Sequence, residues 1–176
     1  MNPSAPAAEV HQAVKCQLAA EVLRCCGTLR TQVAGGSMLP AIWPGDTLVI
    51  ERAVSDEIAE GDIVWFRHGD RFVVHRVVNK THLCGRITIQ TQGDSTLRLD
   101  SPILANEVLG KVAFLVRNEK CVAPRRTLLL PERAAATLIR RSHFAARVLM
   151  KVHQLQQCSR NSSSHDHVVS VRADFA

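Results

Sequence analysis

Five short runs rich in β-branched and aromatic residues fill the middle of this chain, between residues 28 and 118. They read TLVIER, DIVWF, RFVVHRVV, RITIQTQ and VLGKVAFLV. Turn residues precede the first four runs: Pro44-Gly45-Asp46, Glu60-Gly61, Gly69-Asp70 and Gly85. Short strands at this spacing predict a compact, mainly β domain in which most strands pair antiparallel.

Helical spacing lies on both sides of this β region. In residues 7–26, apolar side chains recur every three or four positions ahead of Gly27, which predicts an N-terminal amphipathic helix over 1–27. These side chains are Val10, Val14, Leu18, Val22 and Cys25. Helical spacing returns after Pro124 and predicts a basic C-terminal helix over 124–158. The β domain then spans 28–123, and the Ser- and His-rich end, 159–176, is predicted to be disordered.

The net charge of +6 is concentrated in the last third of the 176 residues. Residues 1–123 carry 13 basic and 13 acidic side chains, whereas residues 124–176 carry 9 and 3. The C-terminal helix therefore offers a surface for an anionic membrane, through Arg140, Arg141, Arg147 and Lys151. The alternative is a solvated face of a helix that packs on the β domain. The balanced charge of residues 1–123 argues against nucleic acid as a partner.

Localisation and cofactors are constrained by what the sequence lacks. The longest uninterrupted apolar run is Val112–Val116, whereas a transmembrane helix needs about 20 residues. No secretory signal is visible, so we expect a cytoplasmic chain with reduced cysteines. None of the six cysteines forms a C-x-x-C pair, and the sequence predicts neither a metal site nor another cofactor.

Three polar positions within the β region carry candidate chemistry. Gly35-Gly36 bares Ser37 on a tight turn, as an exposed nucleophile beside backbone N–H donors requires. His75 lies in a valine-rich strand, where a neutral imidazole could accept the serine proton. Asp94 or Asp100 could orient that imidazole. Each residue alone also fits a plain turn or a hydrogen-bonded core histidine, and it is the combination that favours catalysis.

The order of six motifs resembles the signal peptidase I family and its LexA-like relatives, over about residues 29–117. The motifs are Gly36-Ser37-Met38-x-Pro40, Pro44-Gly45-Asp46, Gly61-Asp62-Ile63-Val64, Val74-His75-Arg76-Val77-Val78, Gln92-Gly93-Asp94 and Leu109-Gly110-Lys111-Val112. The histidine in an H-R-V context is similar to the archaeal and endoplasmic-reticulum signal peptidases. The bacterial signal peptidases and the LexA-like repressors have a lysine as general base instead.

This resemblance implies roles for individual residues. Ser37 corresponds to the nucleophile, His75 to the general base, and Asp94 and Asp100 to the acidic positions. The oxyanion would be held by the Ser37 backbone N–H and a further backbone donor near Gly35 and Gly36. The resemblance also implies a bent, largely antiparallel β-fold that binds its substrate as an added strand and cleaves after small residues.

The sequence therefore predicts a soluble serine endopeptidase that acts on an extended peptide segment, such as a signal or leader peptide. Signal peptidases carry a membrane-spanning anchor before the serine motif, whereas Glu9, Lys15, Glu21 and Arg24 make the helix here too polar for that role. Two alternatives stay open: a catalytically weak peptide-binding module of the same fold, and a LexA-like self-cleaving regulator. A nucleic-acid-binding repressor fragment is disfavoured, because the short N-terminal segment has no helix-turn-helix pattern.

Overall fold

A computed structural model describes residues 5–69, 71–83, 85–141 and 172–173 of the chain. Two helices lie in these ranges: α1 is Ala5–Cys26 and α2 is Leu130–Arg141. The strands are β1 Thr28–Val33, β2 Thr47–Arg52, β3 Ile63–His68, β4 Arg71–Leu83, β5 Arg86–Gln92, β6 Ile103–Leu104, β7 Val108–Arg117, β8 Lys120–Val122 and β9 Arg172–Ala173.

The strands form one sheet in the order β6-β5-β4-β3-β7-β2-β1-β9, and β8 pairs with β7 outside this path. Every neighbouring pair is antiparallel except β1 with β9, which is parallel. The predicted mainly β, antiparallel architecture is thus confirmed. The runs TLVIER and RITIQTQ coincide with β2 and β5, and RFVVHRVV begins a strand that continues to Leu83.

Two hydrophobic clusters fill the interior of the fold. The larger one contains Val33 and Met38, which flank Ser37 in sequence, together with Trp65, Phe72 and Val74. The smaller one lies across β3, β4 and β5 and contains Val64, Phe66, Val77 and Ile89. On β4, Phe72 and Val74 pack into the larger cluster, whereas Val73 and Val77 pack into or against the smaller one, so both faces of the strand are packed around His75.

The face of helix α1 that is buried differs from the predicted apolar face, to which Val14 and Leu18 belong. The buried side chains are Cys16, Ala19 and Leu23, whereas Val14 and Leu18 are exposed by more than half. Leu23 packs closely against β7, since an ideal Cβ on Gly110 would lie 2.9 Å from Leu23 Cδ2. The glycine thus leaves room for the Leu23 side chain, which the spacing of apolar residues in α1 does not reveal.

The C-terminal part of the chain differs from the prediction in two ways. Helix α2 begins at Leu130, and residues 124–129 form irregular backbone rather than the first turns of the expected helix. Arg147 and Lys151 lie outside the described residues, as does most of the predicted disordered end. Within that end, however, Arg172–Ala173 forms a strand. No helix in the described ranges is both long enough and apolar enough to cross a membrane.

Candidate active site

Ser37 begins the tight turn that follows β1. Met38 and Leu39 are buried and anchor this turn in the core, while Ser37 itself is only partly buried. The Leu39 N–H donates to the Gly36 carbonyl at 3.2 Å, and the Ile42 N–H donates to the Met38 carbonyl at 3.0 Å. The serine hydroxyl is thus presented by a hydrogen-bonded turn whose next two side chains are anchored in the core.

The Pro44-Gly45-Asp46 motif ties this segment to β7. The buried carboxylate of Asp46 accepts the Trp43 N–H at 2.8 Å and forms an ion pair with Arg117, whose Nη2 lies 2.6 Å from Oδ2. Arg117 Nη2 also donates to the Ala41 carbonyl at 3.0 Å. Asp46 therefore holds the end of the serine turn against the sheet and takes a structural role.

His75 lies in β4 opposite Val64 of β3. Its ring is almost buried, with the edge of the Phe66 ring beside it. His75 Nε2 lies 3.1 Å from Ser37 Oγ, which is hydrogen-bond distance. The sheet thus joins two side chains that are 38 positions apart in sequence. This is the geometry in which a histidine can take the proton of a serine hydroxyl.

Asp100 occupies the other side of the histidine ring. Its Oδ2 lies 2.6 Å from His75 Nδ1 and accepts the Thr91 hydroxyl at 2.6 Å. Burial opposes ionisation of this carboxyl, but the hydrogen bonds from His75 and Thr91 outweigh it and lower the pKa of Asp100 below its usual range. An ionised carboxylate can only accept, so in the neutral imidazole Nδ1 carries the proton and Nε2 is left to accept from Ser37.

The carboxylate of Asp94 faces a different partner. It forms a two-point ion pair with Arg76, with Oδ1 2.8 Å from Nε and Oδ2 2.8 Å from Nη2. Alternation along β4 places Arg76 and His75 on opposite sides of the strand. Arg76 also donates to the carbonyl of Gly61 and to that of Arg125, in the segment that precedes α2. The two acids that the sequence leaves open are therefore in different environments.

Gly93 is packed closely against both Ser37 and His75. An ideal Cβ at this position would be 2.7 Å from the Ser37 carbonyl oxygen and 3.0 Å from His75 Nε2. It would also be 2.9 Å from Thr96 Cγ2. Only a residue without a side chain leaves the serine turn and the imidazole at their observed separation.

Ser95 fixes the backbone on both sides of Ser37. Its N–H donates to the Ser37 carbonyl at 2.9 Å, and its hydroxyl donates to the Gly36 carbonyl at 2.8 Å. The Gly36 carbonyl and the Ser37 N–H belong to the same peptide group. Because that group is planar and trans, its N–H points away from its carbonyl. Holding the Gly36 carbonyl thus sets the direction of the Ser37 N–H, the donor expected for an oxyanion. Gly35 lies in the half-buried, irregular backbone before it.

Sequence reasoning missed Thr91 and Ser95. Thr91 is fully buried in β5. A buried hydroxyl requires a hydrogen-bond partner, so a threonine on the apolar face of the RITIQTQ run could have indicated a polar contact there. Ser95 had no signal beyond its place after Gly93-Asp94, because its contacts depend on the tertiary fold. Within the described ranges, no group of three or more His, Cys, Asp or Glu side chains could hold a metal ion.

Comparison with known proteins identifies a family for this arrangement. A model of the Peptidase S24-like family matches residues 5–94, slightly more than half of the chain. The match includes Ser37 and His75 and ends six residues before Asp100. No curated protein matches the chain significantly. With its antiparallel sheet and its matched segment, the chain belongs to the Peptidase S24-like family, within the signal peptidase and LexA-like superfamily.

Proposed function

We propose that this protein is a serine endopeptidase in which Ser37 is the nucleophile, His75 the general base and Asp100 the residue that orients His75. The observation that supports this most strongly is the continuous hydrogen-bonded chain from Ser37 Oγ through both ring nitrogens of His75 to Asp100 Oδ2. Nucleophile, base and orienting acid at these distances make up the arrangement used for acyl transfer to serine.

The proposed reaction has two steps. Ser37 Oγ attacks the peptide carbonyl carbon while its proton moves to His75 Nε2, and the C–N bond breaks as His75 returns that proton to the leaving nitrogen. Water then attacks the acyl ester with His75 again as base, and Ser37 leaves with its proton restored. The charge that forms on His75 in each step lies beside the Asp100 carboxylate.

The contacts of two lysines on neighbouring strands favour a histidine over a lysine as the general base. Lys80 Nζ donates to three backbone carbonyls in residues 55–58. Lys111 Nζ lies 3.6 Å from the Asp62 carboxylate. Both ammonium groups are thus engaged, whereas His75 is in hydrogen-bond contact with the serine. We therefore propose the histidine type of signal-peptidase-like enzyme, with processing of signal or leader peptides as its reaction.

A serine-directed phosphonate probe tests this proposal. We expect about one label per chain, located on Ser37 by mass spectrometry of the digested protein, because only an activated hydroxyl reacts readily with such probes. Ser37→Ala should lose the label, and Ser101→Ala, which changes an exposed serine, should keep it. A folded wild-type protein that takes up no label would favour a peptide-binding module that lacks catalytic turnover.

Gly93→Ala provides a second test, of the geometry itself. The added methyl group must displace the Ser37 carbonyl or the imidazole, and a shift of about 1 Å in a catalytic group costs on the order of 100-fold in rate. We expect kcat for peptide hydrolysis to fall by about 10- to 100-fold.

Gly85→Ala is the control for Gly93→Ala, because an ideal Cβ at Gly85 meets no atom within 4 Å. It should leave kcat unchanged, whatever it does to stability through its left-handed backbone, with φ at 73°. If Gly93→Ala retains full turnover, Ser37 and His75 do not need the separation seen here, and the proposed proton transfer is wrong.

A further inference from the structure

Strand β9 lies on an edge of the sheet that leads to Ser37. Arg172 pairs with Gln32 and Ala173 pairs with Val33, both in parallel register. Strand β1 is bound on its other side by β2, so β9 completes the sheet at this end. The pairing is the sole parallel one among the described strands, and it brings together segments about 140 positions apart in sequence.

The backbone of β1 shows which groups β9 meets. The Val33 N–H donates to the Asp46 carbonyl at 2.9 Å, and the Val33 carbonyl accepts the Gly45 N–H at 2.7 Å. The peptide groups of Val33 thus point to the β2 side, and those of Gln32 point to the opposite edge because direction alternates along a strand. An edge with unsatisfied N–H and carbonyl groups is a template for another extended segment.

The direction of β9 matters as much as its position. Because β9 runs parallel to β1, the step from Arg172 to Ala173 is directed along β1 towards Ser37, which lies four residues after Val33. Strand β4 contributes a second edge, since its pairing with β5 starts only at Arg76. The edges of β1 and β4 thus lead to the contact between Ser37 and His75.

We infer that the segment containing Arg172 and Ala173 is the protein's own ligand for its peptide-binding edge and competes with substrate there. The competition between this segment and a substrate rests on the proposed function, whereas the binding of the segment to the edge of β1 does not. Backbone hydrogen bonding in such strand addition depends little on sequence, so a tethered segment is favoured by its high local concentration.

Amide hydrogen exchange tests the pairing without requiring any activity. The full chain carries Ser37→Ala so that no cleavage intervenes, and NMR follows exchange of the Gln32 amide. We expect Ala173→Pro, which removes a backbone donor from β9, to speed Gln32 exchange by about tenfold or more. Ser163→Pro, in the same terminal region but outside β9, should leave it unchanged.

Added peptide and a folding control complete this experiment. A synthetic peptide of residues 168–176 should slow Gln32 exchange again in the Ala173→Pro variant. Exchange of the Ile50 amide in β2 should stay the same throughout, which shows that the domain remains folded. If Gln32 exchanges equally with and without Ala173→Pro, residues 172–173 do not bind this edge in solution and the inference is overturned.

Turnover measures the competition separately, with Ser37 intact. Ala173→Pro should lower KM for a peptide substrate several-fold and leave kcat unchanged, because it removes a competitor and touches no catalytic group. An unchanged KM would overturn the competitive role. If neither protein hydrolyses any peptide, the proposed function fails, and the exchange experiment still decides whether β9 binds the edge.

Discussion

Replacing His75 with alanine is expected to lower peptide hydrolysis by about 10⁴-fold. His75 Nε2 is placed 3.1 Å from Ser37 Oγ, and without it the hydroxyl proton has no acceptor as the nucleophile attacks. Losing one member of a serine–histidine–acid set removes an effect of this size, since the remaining members do not work independently. The measurement is kcat with a peptide substrate identified by mass spectrometry of cleaved products.

The control for this variant lies on the same strand. His82→Ala changes an exposed histidine near the other end of β4 and should keep wild-type turnover. Because His75 is buried, its removal could also affect folding, and His75→Gln, which retains most of the volume, should show the same loss with a near-native circular dichroism spectrum. Turnover within tenfold of wild type in either variant would exclude His75 as the base.

The sequence was informative where local pattern decides structure. Strands β2 and β5 coincide with predicted runs because their alternation and their turn residues are local features. Strand β1 was not recognised as a strand, since the buried Thr31 interrupts the apolar face formed by Leu29 and Val33. Its role becomes visible only once β2 pairs with it.

The site was partly predictable for a similar reason. Ser37 and His75 could be identified because each lies in a short motif with a chemical rationale. The choice between Asp94 and Asp100 could not be made, since it depends on the turn that follows β5. In this turn the Asp100 N–H donates to the Thr91 carbonyl at 2.9 Å, which returns the chain to the histidine. Such a return is a tertiary contact that spacing does not encode.

The two acids should therefore respond differently to the same substitution. Asp100→Asn is expected to lower kcat by about 100-fold or more. The amide carries no charge to stabilise protonated His75, and its NH₂ group can turn towards Nδ1 and place the imidazole proton on Nε2, where it blocks acceptance from Ser37. Thr91 still holds the side chain, so we expect folding to be retained.

Asp94→Asn should instead lower stability, because the Asp94 and Arg76 side chains are largely buried and the arginine would keep its charge without a counterion. Breaking a buried ion pair costs about 3 kcal/mol or more, which for a domain of this size lowers Tm by roughly 6–12 °C. Thermal unfolding and kcat measured on both variants separate the roles. If Asp100→Asn only lowers Tm while Asp94→Asn removes turnover, the assignment of Asp100 as the orienting acid is wrong. The expected result is the reverse, because His75 Nδ1 contacts Asp100 directly, whereas the Asp94 carboxylate is paired with Arg76 on the opposite side of the strand.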